Sequence, residues 1–278
     1  MSTLRIGVFD SGLGGLTVLK ALRRLLPEAD YHYVGDTARV PYGTKSDAAI
    51  RRYGFEIANY LAREPLQAIV VACNTVSAVA IDELQAKFPV PVLGMVEAGA
   101  AAALASARPA SLSPGSSPRI GVICTPATLR SGAYERALHA LSPEAIVSVR
   151  ACPLFVPMVE EGWVDGPVVQ GVIERYLAPL KRERIDTLLL GCTHYPLLNT
   201  ALNHYFSGQV AMVSSGLAAA ESLRERLKLP AATPATALGS LRLELTDAPA
   251  PGQAALIERF LGEVAPECGV IDAEKDFH

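Results

Sequence analysis

Short apolar runs alternate with amphipathic helical patterns along the first part of the chain. An apolar run at residues 5–9 is followed by a helical pattern at residues 17–26, and further apolar runs lie at residues 31–34, 68–72 and 90–93. Short apolar runs bounded by turn residues are typical of buried strands, and apolar positions spaced by three and four residues indicate helices. Strands that alternate with helices form parallel sheets. The pattern therefore predicts an α/β fold built on a parallel sheet.

A second series of the same kind follows. It contains apolar runs at residues 119–123, 145–149 and 187–190. Residues 106–118, rich in Pro, Ser and Gly, separate the two series, and this composition is typical of a surface loop near a domain boundary.

The two series also resemble each other in sequence. Both open with Arg-Ile-Gly-Val, and each reaches a cysteine at the end of an apolar run, 67 residues after Ile6 and 72 residues after Ile120. A duplicated α/β unit explains this. We expect a first domain made of residues 1–98 and 212–278, and a second made of residues 99–211, with the two facing a shared cleft.

Composition and charge narrow the range of possible partners and locations of the protein. The 278 residues are 50% hydrophobic, carry a net charge of −3 and contain no run of five basic residues, which argues against nucleic acid as a partner. The N-terminal residues lack a signal-peptide pattern. The most apolar window, residues 90–107, is interrupted by Pro91 and Glu97, so we expect no membrane span and a cytoplasmic protein.

Five cysteines occur without CxxC spacing in a chain too large to need disulfides: Cys73, Cys124, Cys152, Cys192 and Cys268. We expect reduced thiols and no metal site. None of the six lysines ends an apolar run, as a pyridoxal Schiff-base lysine does. Nothing in the sequence therefore calls for a cofactor.

Two of the cysteines end strands and are followed by polar residues. Cys73 precedes Asn74 and Thr75, and Cys192 precedes Thr193 and His194. A lone cysteine at a strand end is usually a small core residue, but a duplicated one with polar neighbours favours chemistry. Two opposed thiols suit the removal of a proton from one face of a carbon and its delivery to the other. Helical patterns follow both cysteines, so we expect helix dipoles to lower their pKa values.

The turn Asp-Ser-Gly-Leu-Gly-Gly at residues 10–15 suggests a dinucleotide-binding loop. The fingerprint is incomplete because Thr17 replaces its third glycine. Its backbone N–H groups suit a carboxylate as well as a phosphate. The Pro-Gly segment at residues 40–46 would, alone, be an ordinary surface turn.

Six segments in order resemble the motifs of the glutamate racemases, cofactor-independent enzymes of the aspartate/glutamate racemase superfamily: FDSGLGGLTVL, YVGDTARVPYGTKS, VVACNTVS, VPVLGMVE, GVICTPATLRSGAYERAL and LLLGCTHYPLL. The resemblance implies two pseudo-symmetric parallel-sheet α/β domains facing a shared cleft. It also implies racemisation of L-glutamate to D-glutamate, which supplies peptidoglycan synthesis. Glutamate is then the partner, and a homodimer is compatible with the resemblance.

The resemblance also assigns residues. Cys73 takes the proton from D-glutamate and Cys192 from L-glutamate, with Asp10, His194 and Glu160 as auxiliary groups. The implied substrate-binding set is Asp10, Ser11, Tyr42, Gly43, Asn74, Thr75, Thr125, Thr128, Thr193 and His194. Asp36 matches a family acid without a defined role. The chain departs from the family pattern at Val76, Cys124 and Ser214, which concern the cleft wall and the domain contact.

Three other functions remain open at this point. A racemase of the same superfamily acting on aspartate or another amino acid would carry similar motifs. A non-catalytic amino-acid-binding protein also has two facing α/β domains, although it needs no thiols. A thiol redox protein would use Cys73 and Cys192 as a disulfide pair.

Overall fold

The structure is a computed structural model that describes residues 4–107, 117–229, 238–249 and 252–277. Most of the loop expected at residues 106–118 lies outside the described residues. Within them the fold contains two parallel sheets flanked by helices. The predicted α/β fold is confirmed.

The first sheet has six parallel strands in the order β10-β9-β2-β1-β3-β4. They are β1 (Arg5–Asp10), β2 (Asp30–Gly35), β3 (Ala68–Val71), β4 (Val92–Leu93), β9 (Leu241–Leu245) and β10 (Cys268–Val270). The strand β3, which lies between β1 and the edge strand β4, reads Ala-Ile-Val-Val and is buried along its whole length, as expected for a parallel strand covered by helices on both faces.

The second sheet has four parallel strands in the order β6-β5-β7-β8. They are β5 (Arg119–Cys124), β6 (Ile146–Ala151), β7 (Thr187–Gly191) and β8 (Ala211–Ser214). This order repeats the order β2-β1-β3-β4 of the first sheet, so β7 corresponds to β3 and β5 to β1. The two cysteine turns follow β3 and β7, which explains why the sequence repeat ends in a thiol each time.

The helices fall between the strands. Those before β5 are α1 (Leu16–Leu25), α2 (Asp47–Leu61), α3 (Asn74–Lys87) and α4 (Val96–Ser106). Those after it are α5 (Pro126–Ser131), α6 (Ala133–Leu141), α7 (Phe155–Glu160), α8 (Pro167–Arg182), α9 (Asn199–Tyr205), α10 (Ser215–Arg226), α11 (Gln253–Leu261) and α12 (Ala273–Asp276). Short 3-10 turns lie at Tyr42–Thr44 and Tyr195–Leu198.

Two helices connect the sheets. Helix α4 follows β4 of the first sheet but packs on α6 and β7, and α10 follows β8 of the second sheet but packs on α1. The boundaries expected after residues 98 and 211 fall inside α4 and β8. The two-domain division itself stays a prediction. No helix in the described ranges has the length and apolar character of a membrane span.

Candidate active site

A cavity of about 340 Å³ lies where the carboxyl ends of β3 and β7 approach each other. Cys73 and Cys192 both line it, one from each sheet. Other predicted residues on its wall are Ser11, Tyr42, Gly43, Asn74, Thr75, Thr125, Glu160, Thr193 and His194. Ligands of α/β proteins bind at the carboxyl ends of parallel strands. The duplicated cysteine turns therefore meet at one site.

Cys73 is held between β3 and the start of α3. Its side chain is 4% exposed, and its Sγ lies 3.6 Å from the hydroxyl oxygen of Ser11. Burial first and the charge of Asp10 second raise the pKa of the Cys73 thiol to about 11, against the opposing hydrogen bonds from Val76 and Ser11. The expected lowering by the helix dipole is therefore wrong, because loss of solvent outweighs the helix N-terminus.

Cys192 directly follows β7 and is 7% exposed. Its Sγ lies 4.0 Å from Nδ1 of His194. Burial raises the pKa of the Cys192 thiol strongly, and a backbone hydrogen bond from His194 opposes this only in part. The helix expected here begins as the 3-10 turn Tyr195–Leu198 and continues as α9. The expected lowering of the Cys192 pKa is wrong for the same reason as at Cys73, because burial is the largest influence on the thiol.

The imidazole of His194 connects Cys192 with an acid. Nε2 of His194 lies 3.2 Å from Oε1 of Glu160, while Nδ1 faces the Cys192 thiol. The ring of Phe260 packs edge-on against it, with centroids 5.2 Å apart. An imidazole held between a carboxylate and a thiol can take up a proton at one nitrogen while the other keeps its hydrogen bond.

Asp10 ends β1 behind the cavity wall and does not line the cavity. It is fully buried; its Oδ2 accepts the Gly12 N–H at 3.1 Å, and its Oδ1 has no hydrogen-bond partner among the described residues. Burial raises the pKa of Asp10, while His194 and backbone N–H groups from Gly15, Gly12 and Ser11 oppose the rise. Asp10 is therefore placed to tune groups in the site without contacting the cavity.

The glycine-rich turn at residues 10–15 serves close packing. A Cβ at Gly14 would overlap Thr193 and His194, and a Cβ at Gly15 would overlap Asp10. Only glycine therefore lets this turn reach the Cys192 segment. This packing accounts for the glycines that resembled a dinucleotide loop.

Three threonine hydroxyls connect the two sides of the cavity. Oγ1 of Thr75 lies 2.9 Å from Oγ1 of Thr125, which lies 3.0 Å from Oγ1 of Thr128. Thr125 also accepts the Thr128 N–H at 3.3 Å and so caps α5. Thr128 is not part of the cavity wall and supports Thr125 from behind. The hydroxyl chain fixes the width of the cavity on this side.

Asp36 has a structural role beside the cavity. Its carboxylate accepts the hydroxyl of Tyr42, Nε of Arg39 at 2.7 Å and the hydroxyl of Thr246 at 2.8 Å. Asp36 is fully buried. It therefore anchors the loop that carries Tyr42 and Gly43 to the cavity.

The structure adds wall residues that the sequence did not single out: Val40, Pro41, Thr44, Pro126, Pro153, Val156 and Pro157. Four of these lie beside predicted residues in the same motifs. The three from the segment 153–157 share only their nearness to Glu160 in sequence. No metal-binding group of three or more His, Cys, Asp or Glu side chains occurs in the described part of the chain.

Residues 6–223 match the family described as Asp/Glu/Hydantoin racemase. The chain is 45% identical over 258 residues to the glutamate racemase of Geobacter metallireducens, a match that covers 92% of each chain. The chain belongs to the Asp/Glu/hydantoin racemase family. The resemblance found in its motifs is confirmed.

Solved structures of this family share the fold. The crystal structure of the Francisella tularensis glutamate racemase with D-glutamate superimposes with a TM-score of 0.86 at 35% identity, over 99% of both chains. The Escherichia coli glutamate racemase with L-glutamate and an activator gives a TM-score of 0.73 at 28% identity, over 97% of this chain and 98% of that one. The prediction of two pseudo-symmetric parallel-sheet units facing a cleft is confirmed.

The three departures from the family pattern lie off the cavity wall. Val76 lies in the first turn of α3, and its side chain is buried in the core. Cys124 is buried at the end of β5, where its carbonyl accepts the Tyr195 hydroxyl at 3.1 Å. Ser214 ends β8 without a side-chain cap on α10. All five cysteines are free thiols, and only Cys73 and Cys192 face the cavity.

Proposed function

We propose that this cavity racemises glutamate without a cofactor, with Cys73 and Cys192 as the two acid/base groups. The observation that carries the proposal is that both thiols line one cavity from corresponding positions of two repeated sheets. The relatives crystallised with D-glutamate and with L-glutamate support the choice of substrate.

In the proposed reaction one sulfur acts as a base and the other as an acid. The Cys73 thiolate removes the α-proton of D-glutamate, and the Cys192 thiol gives a proton to the opposite face of the same carbon. The product is L-glutamate with Cys73 protonated and Cys192 as thiolate, and the reverse reaction exchanges the roles. One thiolate and one thiol are needed in each turnover.

The raised pKa values of both thiols mean that each needs a local base. His194 lies 4.0 Å from Cys192 Sγ and is paired with Glu160, so it can take the Cys192 proton. Asp10 has a raised pKa and an oxygen without a hydrogen-bond partner in the described part of the chain, and we assign it the corresponding role on the Cys73 side. These assignments remain proposals for Asp10, His194 and Glu160.

Glutamate would be held by dipoles rather than by cations. No Lys or Arg occurs among the described residues that line the cavity. Hydroxyls of Ser11, Thr75, Thr125 and Thr193 face it, and helix α3 directs its first-turn N–H groups towards its own start at Asn74. Hydrogen-bond donors fixed in a site with little water stabilise charge that develops in a carbanion-like transition state.

The test is incubation of the purified protein with L-glutamate alone, followed by chiral chromatography. We expect an equal mixture of enantiomers, unaffected by a chelator or by a pyridoxal-trapping reagent. Loss of activity with chelator that added metal restores would contradict the cofactor-free reaction. Parallel assays with aspartate separate the sister-racemase alternative.

Single alanine variants test the two thiols. Cys73→Ala and Cys192→Ala should both lose racemisation, whereas Cys268→Ala, which removes a thiol outside the cavity, should keep it. In heavy water Cys192→Ala should exchange the α-hydrogen of D-glutamate only, through Cys73. Racemisation at near wild-type rate in either cavity variant would refute the two-thiol mechanism. Binding without turnover in the wild type would favour the binding-protein alternative, and a Cys73–Cys192 disulfide after mild oxidation would favour the redox one.

The biological setting is also part of the proposal. Free thiol catalysis suits a reducing compartment, so we place the protein in the cytoplasm. D-glutamate made there would supply peptidoglycan synthesis. A homodimer is the assembly we expect, and sedimentation of the purified protein measures it.

A further inference from the structure

Tyr134 lies between the two cysteine turns without lining the cavity. It belongs to α6 and is 1% exposed. Its hydroxyl accepts the side-chain amide Nδ2 of Asn74 at 2.7 Å, and Asn74 directly follows Cys73. Its ring lies against Gly191, the residue before Cys192, where a Cβ would come within 2.9 Å of Cε2. One side chain thus touches the neighbours of both thiols.

Asn74 is held by a second partner from the same direction. Its Nδ2 also donates to Oγ of Ser215 at 3.0 Å, at the start of α10. Asn74 is 2% exposed, and its Oδ1 has no hydrogen-bond partner among the described residues. Asn74 therefore lies on the cavity wall with its Nδ2 fixed by two hydroxyls and its Oδ1 buried without a partner among the described residues.

The three residues come from separate parts of the fold. Asn74 follows a strand of the first sheet, Tyr134 lies on a helix beside the second sheet, and Ser215 begins the helix that returns to the first. A buried polar group without its partners costs more than a made bond contributes, so this junction favours one relative position of the two sheets. That position sets how the Cys73 and Cys192 turns face each other.

We infer that Tyr134 is a positioning residue that acts through Asn74, orienting the Asn74 amide towards glutamate and holding the Cys73 turn in register with the Cys192 turn. The inference rests on the proposed racemase function. It adds to that function a residue that never touches the substrate.

The experiment is a double-mutant cycle with Tyr134→Phe, Asn74→Ala and the double variant. Tyr134→Phe keeps the ring against Gly191 and removes only the hydroxyl. We expect it to lower kcat/KM for glutamate by about tenfold, mainly through a higher KM, the size of one lost buried hydrogen bond. In the Asn74→Ala background the same change should have no further effect, because residues that act as one unit are not additive.

Tyr31→Phe is the matched control. Its hydroxyl also makes one buried hydrogen bond, to the Leu26 carbonyl at 2.9 Å, and its side chain is 2% exposed. Urea unfolding of both variants measures the structural cost, which should be similar. KM and kcat of Tyr31→Phe should stay within about twofold of the wild-type values, because its hydroxyl bonds Leu26 and not a residue of the site. A tenfold change is the size expected when one buried hydrogen bond of the site itself is lost.

Calorimetric binding of an equal mixture of the enantiomers to all four proteins of the cycle gives the same comparison without turnover. Equal effects of Tyr134→Phe with and without Asn74 would overturn the inference, as would a Tyr134→Phe protein that matches Tyr31→Phe in KM. Either result with an active wild type overturns this inference alone. A wild type that neither binds nor racemises glutamate overturns the proposed function, and the inference with it.

Discussion

Removal of the Cys73 thiol should change how the stability of the protein depends on pH. Burial raises the pKa of this thiol from 9.0 to about 11 in the folded cleft, while the unfolded chain keeps the ordinary value. The fold therefore favours the neutral thiol. Its contribution is fully present below pH 9.0 and is lost as the pH rises towards about 11.

The size of the effect follows from the shift. Each pKa unit corresponds to about 1.4 kcal/mol, so the whole shift is worth about 3 kcal/mol, of which roughly half is lost between pH 8 and pH 10. Cys73→Ala lacks this titration. We expect the wild type to lose about 1 kcal/mol more unfolding free energy than Cys73→Ala over that interval, because all other groups titrate in both proteins.

The assay is urea unfolding of both proteins at pH 8 and pH 10 under reducing conditions. The variant also leaves a small void, but that cost is the same at both pH values and cancels in the difference. Cys268→Ala is the control, because the half-buried Cys268 thiol keeps contact with solvent and should show a smaller difference. Parallel losses in wild type and Cys73→Ala would show that burial does not hold this thiol neutral and would refute the reasoning.

Two further variants test how the site is supported. Gly14→Ala places a Cβ against Thr193 and His194. We expect urea unfolding to show a loss of about 1–3 kcal/mol in unfolding free energy and the chiral assay to show a kcat at least tenfold lower. An active, fully stable variant would show that the turn can move aside. Thr246→Val removes a hydroxyl that donates to Asp36 and accepts the Ala38 N–H at 3.0 Å. We expect a cost of about 1–3 kcal/mol in stability and a raised KM with little change in kcat, whereas an unchanged KM would mean that Asp36 holds its loop without these bonds.

The sequence predicted the central parts of the fold because they depend on local pattern. Apolar runs of strand length and their repetition predicted two parallel sheets, and the shared position of Cys73 and Cys192 in the repeat predicted that the thiols meet. The pKa direction was wrong because burial arises only when both sheets close over the thiols. The dipole of one helix can be inferred from the sequence, but the burial of the thiol by the second sheet cannot.

Long-range contacts also could not be predicted from the sequence. The strand β9 lies between β2 and the edge strand β10 of the first sheet, and nothing in its alternation of residues specifies those neighbours. Thr246 and Phe260, which contact Asp36 and His194, lie beyond residue 223, where the family match ends. Their neighbours in the chain carry no motif. The segment expected to join the first domain thus supports the site in a way that only tertiary packing specifies.

The absence of Lys and Arg from the described cavity wall has a kinetic consequence. Glutamate carries a negative charge at neutral pH, and the protein has a net charge of −3, so no long-range attraction steers the substrate to the cleft. Added salt should then not lower kcat/KM, because there is no attractive steering field for salt to screen. A substrate held by hydroxyl and amide dipoles can also dissociate quickly. Fast release suits a reversible reaction in which either mirror image is the product.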